Sequence, residues 1–323
     1  MKVGIVGAGL QGRRRAQALT REERTMASVV SLKRSEYDDV FPGLAGAIEL
    51  AGPLPVGSGD SVVIKINMCG SRTPETGTVT HPAVLDALLR YLRESYENLT
   101  ISVVESDGTT VLADLFIRWL GYMPILEKWG GRWVNLSKQP MVSHSIKGRH
   151  LKEVPVAEVF QDAVFITVPK LKTNLLTGIT CCLKNQFGCI PIIEKSVYHP
   201  YIHDVVTDIN TVLRPDFCII DAIIAMGGVQ GPGTGVPVPF GSVICGRDPV
   251  AMDALGARIL GFRPGSIGYI RKCARVGVGS LRYRLVGDPL PRVDFEVNRL
   301  EMSLLRLGAA LQRRAQLRVR RSW

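Results

Sequence analysis

No apolar run in the chain approaches the ~18 residues that a membrane-spanning helix requires. The longest, over residues 217–229, is interrupted by Asp221 and by glycines. A secretory signal pattern is lacking too. The apolar opening at residues 3–10 is followed by Arg13, Arg14 and Arg15, which places the charge on the wrong side. The expected location is therefore cytoplasmic. Cysteine is present seven times but never as C-x-x-C, a poor basis for a disulfide framework, a zinc site or an iron–sulfur cluster. With five histidines in 323 residues, metal-binding clusters have little to draw on. The only pair at helical spacing is His199 and His203, and Pro200 is expected to start a helix that leaves His199 off its face.

What is present is the composition of an ordinary globular protein, 46% hydrophobic and 21% charged, which excludes wholesale disorder. The net charge of +11 is unevenly spread. Residues 271–323 carry 13 Lys and Arg against 4 Asp and Glu, so +9 belongs to the C-terminal end and about +2 to everything before it. Contact with nucleic acid or an anionic membrane surface would therefore fall to that tail. Leu300, Leu304, Leu307 and Leu311 form a helical stripe there, expected to dock on the core.

Strand patterns at residues 2–6, 28–32, 62–66, 100–104, 163–168, 217–220 and 241–245 alternate with helix patterns. The latter fall at 38–50, 82–96, 110–119, 204–213 and 249–260. This alternation predicts an α/β fold, a mostly parallel sheet with helices on both faces. In such a sheet ligands sit beyond the carboxyl ends of the strands. Three segments are expected: a strand–helix extension over 1–25, the α/β domain over 26–290, and a basic helix or tail over 291–323.

Four places could carry chemistry. Gly7, Gly9 and Gly12 follow a strand and open a helix, the dinucleotide fingerprint in its proper setting. Residues 1–19 are similar to the start of a glucose–fructose oxidoreductase-type dehydrogenase. The rest of a mononucleotide-binding half does not follow, and the next strand ends in Lys33 and Arg34 with no acid for a ribose. NAD(P) binding is accordingly an alternative rather than the expectation. The second place is Thr80-His81-Pro82, where Pro82 fits the first helical position and His81 the cap. A helix N-terminus disfavours imidazolium, which suits His81 to act as a neutral donor or base. The third is the His199–His203 pair.

The fourth is the strongest. Residues 169–178 read Pro-Lys-Leu-Lys-Thr-Asn-Leu-Leu-Thr-Gly at the end of a strand, and Lys184-Asn185 follow shortly. In an extended segment Lys170 and Lys172 project to one side. With the polar groups of Thr173, Asn174, Thr177 and Asn185 they suit a carboxylate or phosphate. Clustered ammonium groups depress one another's pKa, so Lys172 or Lys184 can serve as a base or nucleophile.

These residues also carry a resemblance. Lys65-Ile-Asn67, Thr80-His81-Pro82, Pro169 to Thr173, Leu176-Thr-Gly178, Leu183-Lys-Asn185, Phe187-Gly188 and Asp248-Pro-Val-Ala251 with Asp253 resemble, in order, the landmarks of the Domain of Unknown Function 362 (DUF362) family. The resemblance spans about residues 28–278. It implies an α/β fold without naming a reaction. Many members carry a four-cysteine iron–sulfur segment that this sequence does not have, so no iron–sulfur cluster is expected. A His is frequent in the family where this chain has Asn174. The layout is also similar, at fold level, to nickel-dependent lactate racemases. The combined expectation is an enzyme-like protein for a small anionic metabolite, with Lys172, Lys184 and His81 as catalytic groups. Lys65, Asn67, Lys170, Thr173, Asn174, Thr177 and Asn185 would complete the pocket, and proton-transfer or isomerase chemistry would need no cofactor. The alternatives are an NAD(P)-dependent oxidoreductase and a non-catalytic protein that attaches to RNA or anionic membrane by its tail.

Overall fold

A computed structural model describes residues 27–228 and 235–295. The glycine motif at Gly7, Gly9 and Gly12, the first expected segment and the leucine stripe of the tail lie outside the described residues. Within them the chain runs β1 (Ser28–Arg34), α1 (Val40–Ala51), β2 (Ser61–Ile66), α2 (Pro82–Ser95), β3 (Thr100–Glu105), α3 (Ala113–Trp119) and α4 (Met123–Trp129). It continues through β4 (Arg132–Asn135), β5 (Met141–Ser145), β6 (Glu153–Ala157), β7 (Ala163–Val168), β8 (Lys170–Asn174), β9 (Gly178–Thr180) and α5 (Cys182–Asn185). The remainder is α6 (Ile202–Val212), β10 (Phe217–Gly227), β11 (Val236–Gly246), α7 (Pro249–Ile259), α8 (Gly268–Arg275) and β12 (Tyr283–Gly287).

The main sheet has the order β12-β1-β11-β10-β7-β2-β3-β4, with β8 and β9 attached beside β10. β10, β7, β2, β3 and β4 are mutually parallel, while β11 lies antiparallel between β1 and β10. The expected α/β architecture is therefore present. Period-2 alternation sorts the buried strands onto two faces. Val62, Ile64, Ile66, Ile166 and Val168 pack with residues of α1 to α4. Val63 and Phe165 pack instead with residues of α5 to α8. Each face thus has its own apolar core, and the sheet is covered on both sides.

Three differences from the sequence expectation have local causes. The strand pattern at 217–220 continues to Gly227, because β10 serves β7 with its first residues and β8 with its later ones. Pro169, which has no N–H to give, separates those two partners, and its carbonyl accepts Asp221 N at 3.0 Å. The antiparallel β11 follows β10 after a short connection, which needs no crossover helix. The helix pattern at 110–119 starts only at Ala113. Gly108 and Val111 are bridged, and Asp107 Oδ1 accepts Ala113 N at 2.8 Å.

Candidate functional site

The carboxyl ends of β2, β3 and β7 lie together, and the chain that continues from β2 and β7 carries the candidates. Lys65 lies at the end of β2 with Asn67 and His81 beyond it, Lys170, Lys172, Thr173 and Asn174 belong to β8, and Lys184 and Asn185 lie on α5. Leu171 packs in the core beneath α5 to α8, so Lys170 and Lys172, its neighbours in β8, turn to the opposite face. Lys65, by parity with Val63, approaches from the α5 side. The lysines differ sharply in what they meet.

Lys65 and Lys170 are neutralised. Lys65 Nζ lies 2.6 Å from Glu105 Oε2 and 2.8 Å from the Ile66 carbonyl, and its side chain is 0% exposed. The same carboxylate accepts Met68 N at 3.1 Å and Ser106 N at 3.0 Å, which ties it to the ends of β2 and β3. Gly188 closes over the pair: a Cβ there would stand 2.6 Å from Glu105 Oε1 and 2.8 Å from Lys65 Nζ. Lys170 Nζ is 2.9 Å from Asp221 Oδ2 and 2.5 Å from Tyr37 Oη, again with both charged partners wholly buried. Burial lowers the Lys170 pKa, and Asp221 works against that shift.

Asp221 also organises His81. Its Oδ2 accepts His81 N at 2.8 Å, and the His81 ring stacks on Tyr37 at 3.6 Å. His81 caps α2 as expected, its Nδ1 accepting Ala83 N at 3.1 Å, with Pro82 in the first turn. Burial lowers the His81 pKa, and the positive Lys170 adds to this while Asp221 and Glu75 oppose it. The imidazole is thus held neutral.

Lys172 and Lys184 have no carboxylate partner among the described residues. Lys172 Nζ donates to the Thr78 carbonyl at 2.6 Å and reaches Cys69 Sγ at 2.9 Å. Lys184, part-buried on α5, has its Nζ 4.3 Å from the Phe187 ring centroid. Burial first, then the charge of Lys172, lowers the Lys184 pKa to about 8. Beside it Asn185 Nδ2 donates to Lys65 O at 3.1 Å and to Thr167 Oγ1 at 3.0 Å. Asn185 Oδ1 accepts Asn67 Nδ2 at 3.2 Å. The Asn67 Oδ1 has no hydrogen-bond partner among the described residues although it is buried.

The remaining candidates serve the β8–β9 turn. Asn174 Oδ1 accepts Leu176 N, Thr177 N and Thr177 Oγ1, and Thr173 Oγ1 donates to Gly228 O at 2.8 Å. The candidate set therefore divides into a Lys172–Lys184–Asn67–Asn185 cluster and a Lys170–Asp221–Tyr37–His81 network. No acid stands next to these lysines in residues 169–178 or 183–188. Glu105 and Asp221 arrive from β3 and β10, 40 and 51 positions away from the lysines they meet. An acid directly after an apolar run, at the end of β3 for Glu105 and within β10 for Asp221, was their signal.

Elsewhere α6 begins at Ile202, after a 3-10 turn that contains Pro200, and His203 Nδ1 accepts Tyr269 N at 3.2 Å. Cys181, Cys182 and Asp253 offer three buried ligand atoms within 4.8 Å of one another. Burial pushes the Cys181 thiol up to about 12 and Asp253 up to about 7, so any metal there would first have to displace protons.

The sequence profile described as "Domain of unknown function (DUF362)" matches residues 62–258, more than half of the chain. The chain belongs to this family. The matched region contains every lysine of the site and stops short of the glycine motif. Thylakoid-associated protein sll1697 of Synechocystis sp. is 27% identical over 266 residues, which cover 78% of this chain and 81% of that protein. Among solved structures, the lactate racemase apoprotein of Thermoanaerobacterium thermosaccharolyticum aligns with a TM-score of 0.41 at 13% identity. That alignment covers 74% of this chain but only 58% of the racemase chain. Among the described residues no helix is long and apolar enough to cross a membrane.

Proposed function

We propose that this DUF362 protein binds a small anionic metabolite, a carboxylate or phosphate, between Lys172 and Lys184. The observation that carries the reading is the contrast between paired and unpaired lysines. Lys65 and Lys170 each have a carboxylate within 3 Å, whereas Lys172 and Lys184 have none among the described residues and repel one another. An anion supplies the missing countercharge. Lys65 with Glu105, and Lys170 with Asp221, act as the frame that holds Asn67, Asn185 and β8 in place. Asn67 and Asn185 complete the pocket with neutral hydrogen-bonding groups. A lysine with a pKa of about 8 is a competent proton acceptor near neutral pH, which suits proton-transfer or isomerase chemistry α to a carboxylate. His81 supplies a neutral imidazole from the other network. Such chemistry requires neither a nicotinamide nor an iron–sulfur cluster.

Thermal unfolding in different anions tests the site. Phosphate or sulfate raises Tm by several degrees over chloride at equal ionic strength, because a ligand bound to the native state stabilises it by mass action. Lys184→Met removes that anion-specific gain and leaves the protein folded, since its Nζ makes no hydrogen bond to the described residues. Lys172→Met removes the gain as well, with the added loss of the Nζ contact to the Thr78 carbonyl. Retention of the full shift in both variants places the anion elsewhere.

A second, non-catalytic reading gains support from the thylakoid association named for the relative: attachment of the basic C-terminal end to an anionic membrane surface. Full-length protein then co-sediments with vesicles rich in phosphatidylglycerol at low salt, and a chain ending at residue 311 does not. Equal sedimentation of the two chains rejects this reading.

A further inference from the structure

Cys69 stands apart from the other cysteines. The remaining six are buried, and Cys69 alone is partly exposed, on the loop that leaves β2. Its Sγ lies 2.9 Å from Lys172 Nζ, short for a sulfur acceptor. The approach is held from two sides. Lys172 Nζ is anchored on the Thr78 carbonyl at 2.6 Å, and Cys69 Sγ meets the same carbonyl at 3.5 Å. The Lys172 side chain reaches this point from β8, which is fixed between β9 and β10 and leaves it 2% exposed. Lys184 is close enough to Cys69 for the two to interact electrostatically. A thiol reachable by small oxidants is thus fixed against an amine that cannot swing away.

We infer that Cys69 and Lys172 form an oxidative modification site, in which dioxygen joins Sγ to Nζ through one inserted oxygen atom. The Lys172 ammonium releases one proton to solvent; the S–H bond, one N–H bond and the O–O bond break, and S–O and O–N bonds form. The two hydrogens leave with the second oxygen atom as water. Sulfur and nitrogen each give up two electrons, and dioxygen takes up all four. A direct S–N bond would require the atoms to close by more than an ångström, whereas a single oxygen spans close to the gap as it stands. The bridge rests on this geometry alone. Its consequence rests on the anion site proposed above: bridging strips Lys172 of its ammonium charge and so switches off anion binding. Reduction by four thiol equivalents, or two of a dithiol, restores both groups and releases the inserted oxygen as water.

The test uses the full chain, reduced, freed of reductant and then held in dioxygen-saturated buffer. The expected result in intact-mass spectrometry is one oxygen gained and two hydrogens lost, a net gain of about 14 Da that dithiothreitol reverses. Peptide mapping of the oxidised wild type then finds the Cys69 and Lys172 peptides joined. Cys69→Ser and Lys172→Met each abolish the gain, and the wild-type map decides the matter if either variant fails to fold. Oxidation of Cys69 alone to sulfenic or sulfinic acid, a mass change on another cysteine, or no change overturns the inference. The anion-dependent Tm shift, measured before and after oxidation, reads the consequence separately. A joined pair of peptides with an undiminished shift leaves the bridge standing and removes Lys172 from the anion site.

Discussion

Asp221→Asn destabilises the protein by about 3–5 kcal/mol, on the order of 10 °C in Tm. The substitution keeps the shape of the side chain, and an amide oxygen can still accept from His81 N or Tyr37. What it removes is the countercharge of Lys170, an ammonium group with no access to solvent. A buried ion pair contributes little net stability over an apolar pair, yet removing one partner leaves the other as an uncompensated charge. Two further results separate this cause from simple loss of hydrogen bonds. The deficit shrinks at alkaline pH, because Lys170, already lowered by burial, loses its proton in the folded state before it does so in the unfolded one. Adding Lys170→Met to Asp221→Asn recovers much of the loss. Chemical denaturation across pH measures all three quantities. An Asp221→Asn variant within about 1 kcal/mol of the parent would mean that the pair carries no such strain.

This network marks where sequence reading stopped. The alternation of strand and helix patterns was enough to predict the α/β class, since burial on both sheet faces imposes it directly on the residues. The cap at His81 and Pro82 was legible for the same reason, as capping is decided within one turn. Partner choice across the sheet is a different matter. Nothing local to Lys65 or Lys170 announces Glu105 or Asp221, which are brought over by strand order. Tyr37, placed before α1, reaches Lys170 only because β1 and β10 both flank β11. A cluster of lysines in sequence therefore looked uniform, and the fold separates it into two cations paired with carboxylates and two without one among the described residues. Strands β4, β5 and β12 were missed because they are short and carry polar or half-exposed residues, and β6, although Val154 and Val156 are buried, is interrupted by Pro155.

Asp253 yields the second large effect, and its sign is opposite to that of a typical carboxylate. It sits on α7 with no exposed surface, its Oδ1 accepting Leu183 N at 3.2 Å and its Oδ2 without a hydrogen-bond partner among the described residues. The titratable groups facing it, Cys181 and Cys182 at the start of α5 and Tyr269 on α8, are themselves pushed up by burial and stay neutral, so they favour its ionisation only through weak hydrogen bonds. Burial raises the Asp253 pKa from 3.8 to about 7, with the Leu183 N–H working in the other direction. The folded protein therefore keeps a proton that the unfolded chain gives up near pH 4. Stability from this group is fully present below the unfolded value and is lost as pH rises from about 4 to about 7, a total on the order of 4 kcal/mol. Asp253→Asn preserves the shape and the Leu183 contact without a titrating proton. The variant then matches the parent near pH 4 and gains on it steadily, exceeding it by several kcal/mol at pH 8. Denaturation midpoints of the two proteins across that range give the difference directly, with contributions from all other carboxylates cancelling. Parallel profiles between pH 4 and pH 8 would show that Asp253 ionises without penalty, through water or a cation reaching its free oxygen.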